Sequence, residues 1–409
     1  MPCPPSLIRK AAQLLSLLTT TTTTTTAVTN SNKTAVSILL RYKRPLFKRN
    51  MHSCTLLQDV ANYQPDTLDL NTDAKAAAYW FPCFRELVGK FAKQAANSQM
   101  DDATAEQRAA QFQAAYLHQL EEHQNNIANN RGKVVLGTSE LLKLNETMLR
   151  RYGFTDPWLR QKQQENASAK ARLKQRLQEI DDIANEDARW TELVRGVLAG
   201  NMFDWGAQAI ANILEQDSNF GLHAALERIE QRPWLVDNLD AWLERLHLSP
   251  AHKCAVIFVD NSGVDVVLGV LPFVRELLRR GTKVLLCANS EPSLNDVTSR
   301  ELSELLDDCA CQCDVLDSAW RSGRLLVYAN GQSGPCLDMR TLPRELCDAI
   351  AANETDLLVI EGMGRALHTN LNAQFACETL KLAVIKNRWL AKYLGGDKMF
   401  AVICKYERS

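Results

Sequence analysis

Two patterns of hydrophobic and polar positions divide the chain. From about Asp66 to Ser249 the apolar residues recur at helical spacing in long runs rich in Ala, Leu, Gln, Glu, Lys and Arg. Helices are expected over Lys75 to Ala96, Asp101 to Gln124, Thr138 to Arg151 and Asp156 to Ile183, and again over Trp190 to Leu198. After Leu248-Ser249-Pro250 short apolar runs alternate with amphipathic ones. Strands are expected at 253–260, 282–289, 324–329, 356–361 and 398–405, with helices near 264–280, 297–307, 343–352 and 371–394. That alternation predicts an α/β fold, a mostly parallel Rossmann-like sheet flanked by helices on both faces, preceded by an all-helical cap. The expected organisation is an extension over 1–58, a helical cap region over 59–250 and an α/β core over 251–409.

The core is organised around Lys253 to Gly263, where an apolar run delivers Asp260 and Asn261 into a Ser-Gly turn ahead of the amphipathic segment Val264 to Arg280. Sheets of this kind bind ligands beyond the carboxyl ends of their strands, so the polar residues at those ends are the candidates for chemistry. The second strand ends at Asn289 and leads through Asn295-Asp296 into a helix, which Asp296 either caps or leaves to point into the crevice. The fourth ends in Glu361-Gly362-Met363-Gly364-Arg365. Parallel pairing brings these tips, far apart in sequence, to one edge.

Two acids and an amide are hard oxygen donors, suited to Mg²⁺ or Mn²⁺ rather than to zinc, and none of the seven histidines falls in an HExxH pair. Gly362 and Gly364 let backbone amides approach an anion, and the Arg365 fork can clasp a phosphate. Glu378-Thr379-Leu380-Lys381 is expected to start a helix-like run that brings an ammonium near the same edge. A divalent cation beside Arg and Lys is the apparatus of phosphoryl transfer. No GxxxxGK[ST] loop is present, and Ser262 stands where a haloacid-dehalogenase phosphatase needs a second Asp. Ala199 to Ala207, with Asn201 and Asp204 among glycines and aromatics, reads as a helix–helix turn presenting polar groups.

Composition narrows the class. Hydrophobic residues make up 46% and charged residues 23%, the balance of an ordinary globular protein, and a net charge of -1 gives no reason to expect nucleic acid or acidic membranes as partners. Twelve cysteines follow no framework, and the closest set, Cys309, Cys311 and Cys313, lacks zinc-site spacing and is expected to be strand or loop packing. No apolar run approaches the roughly twenty residues of a membrane span. Residues 1 to 58 contain no Asp or Glu, carry eight Lys and Arg and include the threonine run Thr19 to Thr26. This composition fits a mitochondrial transit peptide or an inert low-complexity extension, and Met51 offers an alternative start.

Asp260-Asn261-Ser-Gly, the Asn295-Asp296 approach to a helix and above all Glu361-Gly362-Met363-Gly364-Arg365 resemble the metal-dependent damage-control phosphatases. The EGMGR stretch is the signature of their second subfamily, which comprises stand-alone 4′-phosphopantetheine phosphatases and the C-terminal domain of pantothenate kinase 4-like proteins. The resemblance covers roughly residues 60 to 409. It implies the stand-alone form and a phosphatase that hydrolyses 4′-phosphopantetheine and its oxidised or sulfonated derivatives, limiting damage in the coenzyme A pathway. It implies Asp260, Asn261 and Asp296 as ligands of a divalent cation (Mn, Co, Ni or Mg) and Glu361 to Arg365 as the substrate pocket. Lys381 would meet the phosphate, Asp265 would touch substrate as an acid or base, and Asn201 and Asp204 would close the pocket. The usual location of the family is cytoplasmic, against which the basic N-terminus sets the mitochondrial alternative. A sister-type sugar-phosphate phosphatase and an S-adenosylmethionine-dependent carboxyl methyltransferase are the alternative functions. Whether water or Asp260 attacks the phosphate, and the oligomeric state, are open at this stage.

Overall fold

The apolar runs after Pro250 form the middle of a seven-stranded sheet in a computed structural model that describes residues 55–129, 135–207, 213–214 and 220–408. Residues 1–54 of the expected extension, Met51 included, lie outside the described residues. Among the described residues these helices come first: α1 Ala74–Ser98, α2 Ala105–Ala128, α3 Thr138–Arg151, α4 Leu159–Asp181, α5 Glu186–Gly200 and α6 Leu222–Arg228. The short strand β1 Val236–Asp237 and helix α7 Leu239–Leu248 follow. The alternating part comprises β2 Cys254–Phe258, α8 Leu271–Arg279, β3 Lys283–Ala288, α9 Ser299–Ala310, α10 Asp314–Ser322, β4 Leu325–Ala329, α11 Arg344–Ala352, β5 Leu357–Glu361, β6 Glu378–Ile385, α12 Arg388–Tyr393 and β7 Ala401–Glu407.

The strand order is β1-β7-β6-β5-β2-β3-β4. Strands β4, β3, β2, β5 and β6 run parallel, and β7 pairs antiparallel with β6. The chain leaves β2 toward β3 and β4, then returns to the opposite side of β2 with β5. Diverging connections at β2 and β5 open a crevice at their carboxyl ends, the switch point at which such sheets hold ligands.

Alternate residues of β2 feed the two faces. Ala255 and Ile257 pack with Leu193, Val197 and Phe273. Val256 and Phe258 pack with Phe81, Phe112 and Leu346. Both cores therefore draw on helices from 74–248 as well as on the alternating part, each large apolar side chain contributing about 1.5–3 kcal/mol by leaving water. Within the first core Trp190 of α5 sits edge-on to Trp242 of α7 and to Phe273 of α8, with ring centroids 6.4 and 5.6 Å apart.

Three expectations need correction. The helix anticipated over 371–394 is strand β6 over most of its apolar part, followed by the short helix α12. Leu380, Leu382, Ala383, Val384 and Ile385 are buried between β5 and β7 with both faces covered, and a run apolar on both sides has no strand alternation to read. The set Cys309, Cys311 and Cys313 belongs to a helix and its turn: Cys309 is buried in α9, and α10 begins directly after Cys313. Two stretches expected as plain helix or loop, Asp265–Val270 and Met363–His368, are wide π-helical turns, a local distortion that recurs at functional sites.

Candidate active site

Strand β2 ends at Phe258, and the chain past it sets Asp260 and Asn261 at the switch point. Asn261 bridges to Asp296, Ser262 N donates to Asn295 O at 2.9 Å, and Val297 N donates to Asp260 O at 3.0 Å. These backbone bonds hold the segment after β3 against the tip of β2. Thr298, not Asp296, caps α9: its side chain accepts from Glu301 N while the Glu301 carboxylate reaches back to Thr298 N, a capping box. Asp296 is thus released from capping and turns its carboxylate inward.

Arg365 holds the two acids together. Its guanidinium donates to Asp260 Oδ1, to Asp296 Oδ2 at 2.8 Å and to Asn289 Oδ1 at 3.0 Å, and it is fully buried. Asn289 in turn donates to Asp296 Oδ2 at 3.0 Å and accepts from Asn330 at 3.0 Å. Gly362, at φ 103, brings the backbone onto Asp260: a Cβ there would lie 2.3 Å from Asp260 Oδ2. Gly364 packs against Pro335 O, and Met363 stands at the mouth of a cavity.

A second cluster abuts the first. Asn201, the C-cap of α5, donates its amide to Asp260 Oδ2 at 2.8 Å, Asp265 Oδ2 at 3.3 Å and Glu361 Oε1 at 3.4 Å. Asn261 donates its backbone N–H and its side-chain amide to Asp265 Oδ2, at 3.1 and 2.7 Å. Gly200 permits this approach, since a Cβ there would lie 2.9 Å from Asp265 Cα. Asp204 ion-pairs with Lys386 Nζ at 2.8 Å and accepts from Gly206 N at 2.8 Å.

Charge is in surplus. Five carboxylates (Asp204, Asp260, Asp265, Asp296 and Glu361) face two cations, Arg365 and Lys386. Burial pushes the Asp260 carboxyl up to about 8 against the pull of Arg365, and burial likewise raises Asp296 and Asp265. Burial, then the Asp265 charge and the hydrogen bond between the two, push Glu361 well above the carboxylate range. Asp265 Oδ1 and Glu361 Oε2 are buried and have no hydrogen-bond partner among the described residues, and a proton held between the two carboxyls would satisfy both.

Of the residues singled out in the sequence, Asp260, Asn261, Asp265, Asp296, Asn201, Glu361, Gly362 and Arg365 meet directly. Lys381 does not join them. Its ammonium donates to the carbonyls of Leu371 and Ala373, at 3.2 and 2.7 Å, and pairs with Glu407 at 2.6 Å, while burial pulls it down to about 8. The helix expected to begin at Glu378 is β6, so Lys381 lies mid-strand, opposite Ile360. The cation beside the acids is Lys386, one residue past the end of β6, which the sequence reading missed. Reading 378–385 as a strand would have exposed Lys386 as its tip. Asn289, at the end of β3, was visible as a strand end but not as the partner of Arg365.

A family model described as the damage-control phosphatase ARMT1-like domain matches residues 81–402. The chain belongs to this damage-control phosphatase family. Its curated relatives agree: a mouse protein named 4′-phosphopantetheine phosphatase is 40% identical over 90% of this chain and 49% of its own length. An Arabidopsis thaliana protein named pantothenate kinase 2 is 40% identical over 86% of this chain and 41% of its own. The chain thus spans half or less of these two longer relatives. An Arabidopsis thaliana damage-control phosphatase, 36% identical, is covered over 87% of its length. A DUF89 family protein of Pyrococcus horikoshii, 14% identical over 78% of this chain, superposes with a TM-score of 0.48. In this damage-control phosphatase domain the EGMGR loop is the hinge of the site: Glu361 faces Asp265, Gly362 backs Asp260 and Arg365 joins Asp260 to Asp296.

The oxygen-only donors Asp260, Asn261 and Asp296, with their excess negative charge, fit a hard divalent cation. Among the described residues no three acidic, cysteine or histidine side chains converge as a ready-made metal cluster, because the Arg365 guanidinium lies between Asp260 and Asp296. A cation held by Asp260 and Asp296 would compete with Arg365 for these two carboxylates. Among the described residues no helix is long and apolar enough to cross a membrane.

Proposed function

We propose that this chain is a divalent-metal-dependent phosphatase that hydrolyses 4′-phosphopantetheine, including its oxidised or sulfonated forms. The observation that carries the reading is the convergence of Asp260, Asn261, Asp296 and Arg365 at the switch point of the sheet. The name of the mouse relative and the EGMGR loop support the choice of substrate.

Asp260, Asn261 and Asp296 are the residues that would hold the cation. Bound there, it neutralises charge on the phosphoryl oxygens and makes a bound water more acidic. The chain supplies the remaining parts. Arg365 is a planar, buried donor for phosphoryl oxygens, and Lys386, buried against Asp204, adds a second positive charge. Glu361, held protonated by burial and the neighbouring Asp265, is the general acid that can protonate the leaving oxygen. Asn201 holds Asp260, Asp265 and Glu361 in register.

Phosphate release tests the reading. With Mg²⁺, Mn²⁺, Co²⁺ or Ni²⁺ supplied in turn, 4′-phosphopantetheine is hydrolysed with a higher kcat/KM than a panel of hexose and pentose phosphates. A sugar phosphate preferred over 4′-phosphopantetheine with every metal contradicts it.

A further inference from the structure

Beside the acids lies a cavity of about 620 Å³, within the roughly 300–1,000 Å³ of small-molecule sites, whose walls include Tyr79, Trp80 and Cys83 of α1, Met363, Lys386 and Trp389. Two of these residues belong to the site already described. Lys386 ion-pairs with Asp204, and Met363 follows directly on the Gly362 that backs Asp260. The cavity therefore adjoins the acid cluster through Met363 and Lys386, while the clustered acids themselves lie behind its wall.

One wall is built on a ladder of rings, of which Tyr79 and Trp389 line the cavity and Tyr393 lies behind. Tyr79 and Trp389 stack with centroids 4.7 Å apart and planes within 7°, and Tyr393 continues the stack at 5.1 Å. The ladder is fixed by polar bonds at its edges. Asn387 donates its amide to the Tyr79 hydroxyl at 2.8 Å while its carbonyl oxygen caps α12 through Leu390 N at 3.0 Å. The Tyr393 hydroxyl donates to Asp73 at 2.7 Å. Because the Tyr79 oxygen accepts from Asn387, its own proton can be donated to a ligand carbonyl. A rigid row of stacked rings that presents its apolar edges and one oriented hydroxyl suits a chain of amide planes and methylenes, which packs along such edges and donates sparsely. It suits a polyhydroxylated ring less well, since such a ligand needs many convergent hydrogen-bond partners.

We propose that this aromatic cleft is the subsite for the non-phosphate arm of the substrate, an extended diamide ending in sulfur. Trp389 and Tyr79 are its specificity-determining residues. The proposal rests on the phosphopantetheine reading above. The phosphate end meets Arg365 and Lys386, the amides lie along Tyr79 and Trp389, and the sulfur end gains polarisable contacts from the rings.

The test compares Trp389→Ala and Tyr79→Phe with the wild type on 4′-phosphopantetheine and on para-nitrophenyl phosphate, a phosphate ester without the arm. The ratio of kcat/KM for the first over the second falls about tenfold or more in Trp389→Ala, through KM, and by a smaller factor in Tyr79→Phe, which keeps the ring and so the fold. A ratio unchanged in both variants overturns the proposal. A second readout is independent of turnover. Pantetheine, the arm without phosphate, gives a saturable change in tryptophan fluorescence in the wild type that weakens in Tyr79→Phe, and no saturable change in the wild type overturns the proposal. Wild-type protein that cleaves para-nitrophenyl phosphate but not 4′-phosphopantetheine refutes the substrate reading instead, and the pantetheine titration still decides the cleft.

Discussion

The Asn201 side chain donates to Asp260 Oδ2 at 2.8 Å, fastening the C-terminus of α5 to the tip of β2 across 59 residues of sequence. The same amide reaches Asp265 and Glu361, so one neutral donor lies among three buried carboxyls. Asn201→Ala leaves those oxygens without it and is expected to cost about 1–3 kcal/mol of stability in urea denaturation, with a loss of phosphatase activity. Asn201→Asp places a further carboxylate in the cluster and is expected to be the more damaging of the two. An Asn201→Asp protein as stable as the wild type contradicts this account of the cluster.

Gly362 and Gly281 both have positive φ, at 103 and 100, but differ in surroundings. A Cβ at Gly281 meets nothing within 4 Å, whereas one at Gly362 collides with Asp260. Gly281→Ala is expected to cost only backbone strain, about 1–2 kcal/mol, and to retain turnover. Gly362→Ala is expected to displace Asp260 and lose activity well beyond its loss in melting temperature. Equal kinetic effects from the two substitutions would argue that the EGMGR backbone does not position Asp260.

Metal should be visible without catalysis. A cation that binds the folded chain stabilises it by RT ln(1 + [L]/Kd), about 2.7 kcal/mol at a hundredfold excess over Kd. Mn²⁺ is expected to raise the Tm of the wild type in a concentration-dependent way. Asp260→Asn and Asp296→Asn are expected to abolish that shift, whereas Lys381→Met, remote from these acids, is expected to retain it. A shift that persists in both aspartate variants would move the metal elsewhere.

Glu146 of α3 gives a pH prediction. It is buried beside Asn145, and burial pushes its carboxyl from 4.5 up to about 8, with the Asp296 charge adding to the rise and Arg150 opposing it. A carboxyl raised in the folded state contributes fully below its unfolded pKa, and that contribution is lost as pH climbs through the folded value. Glu146→Gln is therefore expected to be more stable than the wild type at pH 8.5, by on the order of 5 kcal/mol, and the advantage should vanish toward pH 4.5. Parallel stability–pH curves for the two proteins would rule this out.

Much of the frame was legible because strands, turns and strand ends leave local signals. The run from Lys253 to Gly263 announces β2 and its polar tip, and the same logic finds Asp296 and the EGMGR loop. Asp296 was ambiguous in sequence because Asp is a good cap; only the Thr298–Glu301 capping box resolves it. The failure at β6 has a plain cause: a strand buried on both faces loses its alternation, so Lys381 was assigned to the site's edge and Lys386 overlooked. The π-helical turns at Asp265 and Met363 carry no sequence signature of their own. The link from Asn201 to the acids depends on how α5 docks, a tertiary fact that no local pattern encodes.

The acids gathered around Arg365 are proposed to form a metal-dependent phosphatase site. The most direct measurement is phosphate release from 4′-phosphopantetheine by wild-type and Asp260→Ala proteins, with and without a divalent cation, each shown to be folded by its melting curve. Turnover is expected in the wild type only when metal is present, and none in Asp260→Ala with any metal. Full activity in Asp260→Ala, or wild-type turnover unaffected by a chelator, would contradict it.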